Sequence, residues 1–300
     1  MNKNFVSMRN GILDLDDPER GLLSHTPDFW CLNGLPYNYD PEAGCSEFAD
    51  AVVQWQPDPI GQQVLIDWCG YCLMPGNPHQ KFLLNHGDGS DGKSQYAAIL
   101  RALCGEKNCA SVGLEAFDTK NRFGLLPLLN KTLNIVGDAN ALDTMGEGLF
   151  KSITGGDSVF VDRKNLDGIT GVLSCKFVLN CNGLPFFRDR SEGLWRRIIA
   201  LEWKPIPQDK IVYSFAERII ANEISGIFNW ALSGYRRVRE HGLPQGPVLK
   251  DNLERIRSSI QHEIKFFDEC IEFTIDKETT GGHMSQSSLM PTSIGPQKTM

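Results

Sequence analysis

The chain has 300 residues, 41% of them hydrophobic and 22% charged, with a formal net charge of −7. Those values suit a globular protein with a real core, in one large domain or two smaller ones. They exclude a surface that is basic all over, but not a nucleic-acid partner met along one channel. No apolar run approaches a membrane span, and Met1 to Val6 carries no apolar signal region, so a cytoplasmic protein without a membrane partner is expected. Nine cysteines in such a chain read as packed thiols rather than disulfides.

Taken in order, Met8 to Thr26 holds two short apolar strands around Asp16-Asp17-Pro18-Glu19-Arg20-Gly21, which predicts a hairpin turning there. Helices are expected from Cys45 to Val53 and from Ile60 to Cys72, and Met74-Pro75-Gly76-Asn77-Pro78 ends the second. The helix contains Trp68-Cys69-Gly70-Tyr71-Cys72, which mimics a redox motif. That motif needs a strand running into its first cysteine, and here the preceding residues have helical spacing. A zinc site joining Cys31 and Cys45 to Cys69 and Cys72 lacks paired spacing.

Lys81 to Asn85 reads as a buried strand and Gln95 to Leu103 as a helix. Between them lies Gly87-Asp88-Gly89-Ser90-Asp91-Gly92-Lys93-Ser94, which fits G-x-x-x-x-G-K-[ST] at every fixed position. Glycines let loop N–H groups turn toward phosphate, and the helix start adds its positive dipole end. Lys93 is placed for the β- and γ-phosphates and the Ser94 hydroxyl for Mg²⁺. A nucleoside triphosphate site follows.

Beyond it come a weak strand at Ala110 to Leu114 and strong ones at Thr132 to Asp138, Lys176 to Asn182 and Arg197 to Trp203. Apolar runs that end in polar residues predict a parallel sheet whose carboxyl ends carry the site: an α/β, P-loop NTPase fold. Asp138 would hold Mg²⁺ and polarise water, with Glu147 a weaker second acid, and Asn182 would contact γ-phosphate and water. Arg196 and Arg197 suit a cation that stabilises the transition state, or an ordinary salt bridge. Between Asp157 and Lys176, short β-type runs flank Asn165-Leu166-Asp167-Gly168, and Asp-Gly predicts the turn of a hairpin. Its Arg163 and Lys164 suit DNA phosphates, or simply solvent. Helices are expected at 211–240 and 250–275, then a tail without periodicity.

In this order the motifs resemble the superfamily 3 helicases, the replicative helicases of phages, plasmids and large DNA viruses. The resemblance covers about residues 8 to 275. Asn10 to Leu15 and Tyr39 to Ala43 are similar to the helical domain before the ATPase. Gly87 to Ser94 matches the family's Walker A motif and Leu133 to Asp138 its Walker B. Ile153 to Asp157 with Arg163 and Lys164 looks like the lead-in to a DNA-contacting hairpin, Asn182 like the sensor asparagine, and Trp195-Arg196-Arg197 like the arginine-finger region. The resemblance implies an AAA+-like ATPase using ATP and Mg²⁺, in a homo-hexameric ring that moves 3′→5′ on single-stranded or forked DNA, with a neighbour's arginine completing each site. It divides the chain into a helical N-terminal domain (1–78), an ATPase core (79–208), a helical lid (209–277) and a disordered tail (278–300). A lone Asp138 stands where the family often has a Glu or an acidic pair, and priming would need a separate primase. An ATP-binding assembly factor with poor turnover and a small P-loop kinase are the competing readings.

Overall fold

Continuous apolar runs, rather than alternating ones, build the central sheet, because helices and hairpins cover both of its faces. The structure is a computed structural model that describes residues 4–118, 120–121, 123–139, 146–185, 187 and 192–270, with side chains to residue 260. In chain order the elements are β1 (Phe5–Met8), β2 (Gly11–Asp14), α1 (Ser46–Trp55), α2 (Pro59–Leu73), β3 (Phe82–His86), α3 (Lys93–Cys104), β4 (Cys109–Ala110) and β5 (Leu133–Val136). Then follow α4 (Glu147–Gly155), β6 (Ser158–Arg163), β7 (Leu166–Val172), β8 (Lys176–Cys181), α5 (Glu192–Trp195), β9 (Ile198–Glu202), α6 (Phe215–His241) and α7 (Pro247–Cys270).

Five parallel strands form the main sheet in the order β4-β5-β8-β3-β9. The expected α/β architecture is present: β8 is inserted between β3 and β5, and β9 closes the other side of β3. Register pairs His86 with Cys181 on one side and with Glu202 on the other. The carboxyl ends of β3, β8 and β5 therefore lie together.

Successive strand residues face opposite ways. Leu83, Val178, Ile135 and Ile199 enter one large core with α1, α2, α3 and α6. Phe82 and Phe177 point to the other face and meet Phe117 and Phe150, with ring centroids 5.0–5.7 Å apart. Helix α2 starts where the Asp58 carboxylate accepts the Ile60 N–H at 2.8 Å, with Pro59 at the first position. It crosses α6 closely through glycines: a Cβ on Gly70 would lie 2.1 Å from the Tyr235 nitrogen, and one on Gly234 2.7 Å from the Ile66 carbonyl. There Asp67, 1% exposed, pairs with Arg237 at 2.6 Å.

The first hairpin differs from expectation. β1 and β2 turn at Arg9-Asn10, and across Asp16 to Gly21 only Ile12 and Leu23 exchange backbone bonds. Pro18 starts a single 3₁₀ turn there, which uses up residues that would have extended a strand. The described residues up to 261 form one unit. In the second unit, residues 262–270 are helical. The tail expected over 278–300 lies outside the described residues. Among the described residues no helix is long and apolar enough to cross a membrane.

Candidate nucleotide site

The loop from Gly87 to Gly92 joins β3 to α3. Gly89 (φ +97°), Ser90 (φ +51°) and Gly92 (φ +96°) take left-handed backbone, which lets the chain coil around a central space. Gly92 is required twice over, because a Cβ there would also lie 2.3 Å from the Trp55 indole nitrogen. The end of β8 and the segment after β9 tie the loop down. The Gly87 N–H donates to the Cys181 carbonyl at 3.2 Å, and the Ile206 N–H donates to the Ser90 carbonyl at 2.8 Å. Asp88 and Ser94 are exposed, whereas Asp91 and Lys93 are 3% and 5% exposed. The Lys93 ammonium pairs with the Asp91 carboxylate and donates to the Gly87 carbonyl at 2.9 Å.

Beneath the loop lies a polar layer that motif reading did not single out. The Asn85 amide donates to Asn180 Oδ1 at 2.9 Å, and the Trp203 indole donates to Asn85 Oδ1 at 3.0 Å. These bonds lock β8, β3 and β9 in register just before the site, and the buried Asn180 Nδ2 has no hydrogen-bond partner among the described residues. Asp138 is exposed two residues beyond β5, where the Ala139 N–H donates to the Asn180 carbonyl at 2.8 Å. Asn182 is exposed one residue beyond β8. Between them, burial pushes the Cys181 thiol up to about 12; Lys93 opposes the rise and Asp138 adds to it. Thus Gly87 to Ser94, Asp138 and Asn182 share the carboxyl end of the sheet. A serine hydroxyl and a carboxylate on this open end are the hard oxygen donors that suit Mg²⁺.

Arg196 and Arg197 lie at the other end. They precede β9, and the Arg197 carbonyl accepts the N–H of Phe82, the first residue of β3. A strand rising about 3.3 Å per residue puts on the order of 15 Å between them and the loop. The two arginines also differ from each other. Arg196 is exposed and reaches the Gln80 side chain at 3.3 Å. Arg197 is 8% exposed, donates to the Gly193 carbonyl and faces Asp157; burial lowers its pKa, the charge of Arg196 adds to this, and Asp157 opposes it.

The β6–β7 hairpin roots at this same end of the sheet, since only three residues separate the end of β7 from the start of β8. Its turn is Lys164-Asn165, with Asn165 at φ +61° and Arg163 paired to Leu166. The Asp-Gly signal was thus misleading: Asp167 and Gly168 belong to β7. Gly168 serves packing instead, since a Cβ there would meet the Phe160 ring at 2.1 Å. Lys164 is exposed, while the Arg163 guanidinium donates to the Asp167 carbonyl at 2.7 Å. Phe160 and Leu166 stand 62% and 64% exposed.

A cavity of about 230 Å³ opens beside the loop, lined by Ser90, Gly92, Trp55, Ile211, Val212 and Phe215 among others. Sequence reading missed it because α1 and the segment before α6 are far apart along the chain and carry no motif. The cysteines Cys69 and Cys72 are buried in α2, where burial drives the Cys69 thiol upward. Cys45 is buried and Cys31 exposed. Among the described residues no three acidic, histidine or cysteine side chains could together hold a metal.

Residues 85–197 match the model of a family of unknown function (DUF5906). This is less than half of the chain, yet it contains every site residue discussed from Gly87 to Arg197. Over 207 residues the chain is 25% identical to L207/L206, a provisionally named helicase of Acanthamoeba polyphaga mimivirus. The chain is thus similar to a viral protein that carries a provisional helicase name. The match covers 66% of this chain but 21% of the viral protein, so the chain spans about a fifth of that relative's length. The fold is also that of the NrS-1 C-terminal region in its apo form. One structure of that region gives a TM-score of 0.55 over 78% of this chain and 59% of that one, at 15% identity. An A-form structure gives 0.54 over 81% and 62%, at 16% identity.

Proposed function

We propose that the chain is the ATPase core of a superfamily 3-type replicative helicase, hydrolysing ATP with Mg²⁺ and moving 3′→5′ on single-stranded DNA as a hexameric ring. One observation carries this reading: the reactive groups are divided between the two ends of the sheet. The phosphate loop, Asp138 and Asn182 stand at one end, and Arg196 at the other. A subunit cannot bring its own Arg196 to its own phosphates across the strand length, whereas a second copy packed edge to edge can. A small kinase acting as a monomer has no use for that division.

In this reading loop N–H groups and Lys93 hold the phosphates, and the Trp55–Phe215 cavity takes the base and ribose. Ser94 and Asp138 would hold Mg²⁺, which neutralises phosphate charge when bound. Asp138 also draws on a proton of the attacking water, and Asn182 orients that water. Arg196 is the transition-state cation because it is exposed, while Arg197 braces Gly193 and the hairpin root near Asp157. The hairpin meets DNA through Lys164, Arg163 and the exposed Phe160 ring, on which a base can stack.

Mixing two inactive variants tests the shared site. Lys93→Ala lacks a working phosphate loop, and Arg196→Ala lacks the cation it would lend. Each alone should be inactive, with Arg196→Ala still binding ATP. Mixed, they should recover part of the wild-type turnover, because Lys93→Ala subunits lend Arg196 to intact loops. No recovery on mixing, or full activity of Arg196→Ala alone, contradicts the shared site.

A further inference from the structure

The Asp91 carboxylate is turned into the loop, onto the loop's own donors. Its Oδ1 accepts the Lys93 N–H at 3.2 Å. Its Oδ2 accepts the Gly89 N–H at 3.3 Å and pairs with the Lys93 ammonium. The same carboxylate closes over Gly87, where an added Cβ would lie 2.5 Å from Oδ2. Two loop N–H donors and the loop lysine thus converge on one anion supplied by the loop itself. Asp91 is 3% exposed, so this anion is held inside the loop rather than swinging in solvent.

We propose that Asp91 is a built-in competitor for the phosphate chain: it fills the cradle without nucleotide and must leave Lys93 before phosphate can bind. The inference rests on the nucleotide reading above. When a binding-competent state is only partly populated, apparent affinity falls by that fraction. Closure by Asp91 is such a state, and a carboxylate left nearby also repels the incoming anion. The pairing suits a site that must release nucleotide once per cycle, because Asp91 can recapture Lys93 as phosphate departs.

The test is calorimetric titration of pyrophosphate, and separately of ATP, into wild-type protein, Asp91→Asn and Asp88→Asn. Asp88 is exposed on the same loop and controls for loss of one negative charge near the site. Asp91→Asn should bind both ligands on the order of tenfold more tightly than wild type, and Asp88→Asn clearly less so. Pyrophosphate isolates the cradle from the base cavity, so the gain should appear with it too. Equal gains in the two variants would reduce the effect to general charge and overturn the proposal. Unchanged or weaker binding by Asp91→Asn would overturn it as well and make Asp91 a shaper of the loop. Asp91→Ser serves as a second uncharged variant, and failure of both to fold would make the residue structural and end the proposal. If wild type and all variants bind neither ligand, the nucleotide reading falls and takes this one with it.

Discussion

At residue scale, Gly92 carries two constraints whose effects can be separated. Its φ of +96° is costly for any side chain, and its α-carbon faces the Trp55 indole at a distance no Cβ tolerates. Gly92→Ala should therefore cost on the order of a hundredfold in ATP affinity and lower the melting temperature as well, since a Cβ there presses on the buried Trp55 indole. Titration of ATP alongside a thermal melt checks this, and near-normal affinity would mean that the loop reshapes freely. Much at this scale was legible beforehand. The positions of the loop, Asp138 and Asn182 at the carboxyl ends of their strands were legible from spacing and from apolar runs ending in polar residues. Charge could not separate Arg196 from Arg197, because the difference is burial: one stands in solvent, and the other is folded onto Gly193 and faces Asp157. The Asp91–Lys93 pair was also hidden, since the loop pattern leaves that position open to any residue.

At the scale of elements, the α2–α6 crossing shows how packing and charge share one contact. Gly70 and Gly234 let the helices touch, and that approach buries Asp67 beside Arg237. Burial raises the Asp67 pKa above its ordinary value, and hydrogen bonding and charge from Arg237 oppose the rise. A carboxyl with a raised folded pKa weakens the fold while ionised, and that cost fades as pH falls through the folded pKa. Arg237→Ala leaves the carboxylate buried without its cation and should cost about 2–3 kcal/mol at pH 7. The deficit should shrink on acidification, as the protonated acid needs no partner. Urea melts of both proteins between pH 7 and pH 5 read this directly, and a deficit that grows toward pH 5 contradicts it. Most helix and strand positions were legible because periodicity is local, but the strand expected over Ala110 to Leu114 stops at Ala110, and Leu114 starts a 3₁₀ turn. The hairpin turns were not: Asp167-Gly168 has strong turn chemistry, but Asn165 and the seat required under Phe160 decided the register. Strand order was likewise unreadable, since β8 reaches its place between β3 and β5 through pairings that local pattern does not encode.

For the whole molecule, the two-ended distribution of reactive groups is the central claim. If ATP is completed by a neighbour's arginine and spent on DNA held by the β6–β7 hairpins, turnover must depend on both assembly and DNA. The cavity beside Trp55 is lined by chain segments brought together only by folding, which is why sequence did not show it, whereas a neighbour's arginine was already implied by the family resemblance. The measurement that tests this most directly is the steady-state ATPase rate across protein concentration, with and without single-stranded DNA, with Lys93→Ala as the blank. The account predicts turnover that rises more steeply than in proportion to protein concentration and is stimulated by DNA. A rate per subunit that is the same at every concentration and unmoved by DNA would contradict it, and would return the chain to a monomeric phosphoryl-transfer enzyme.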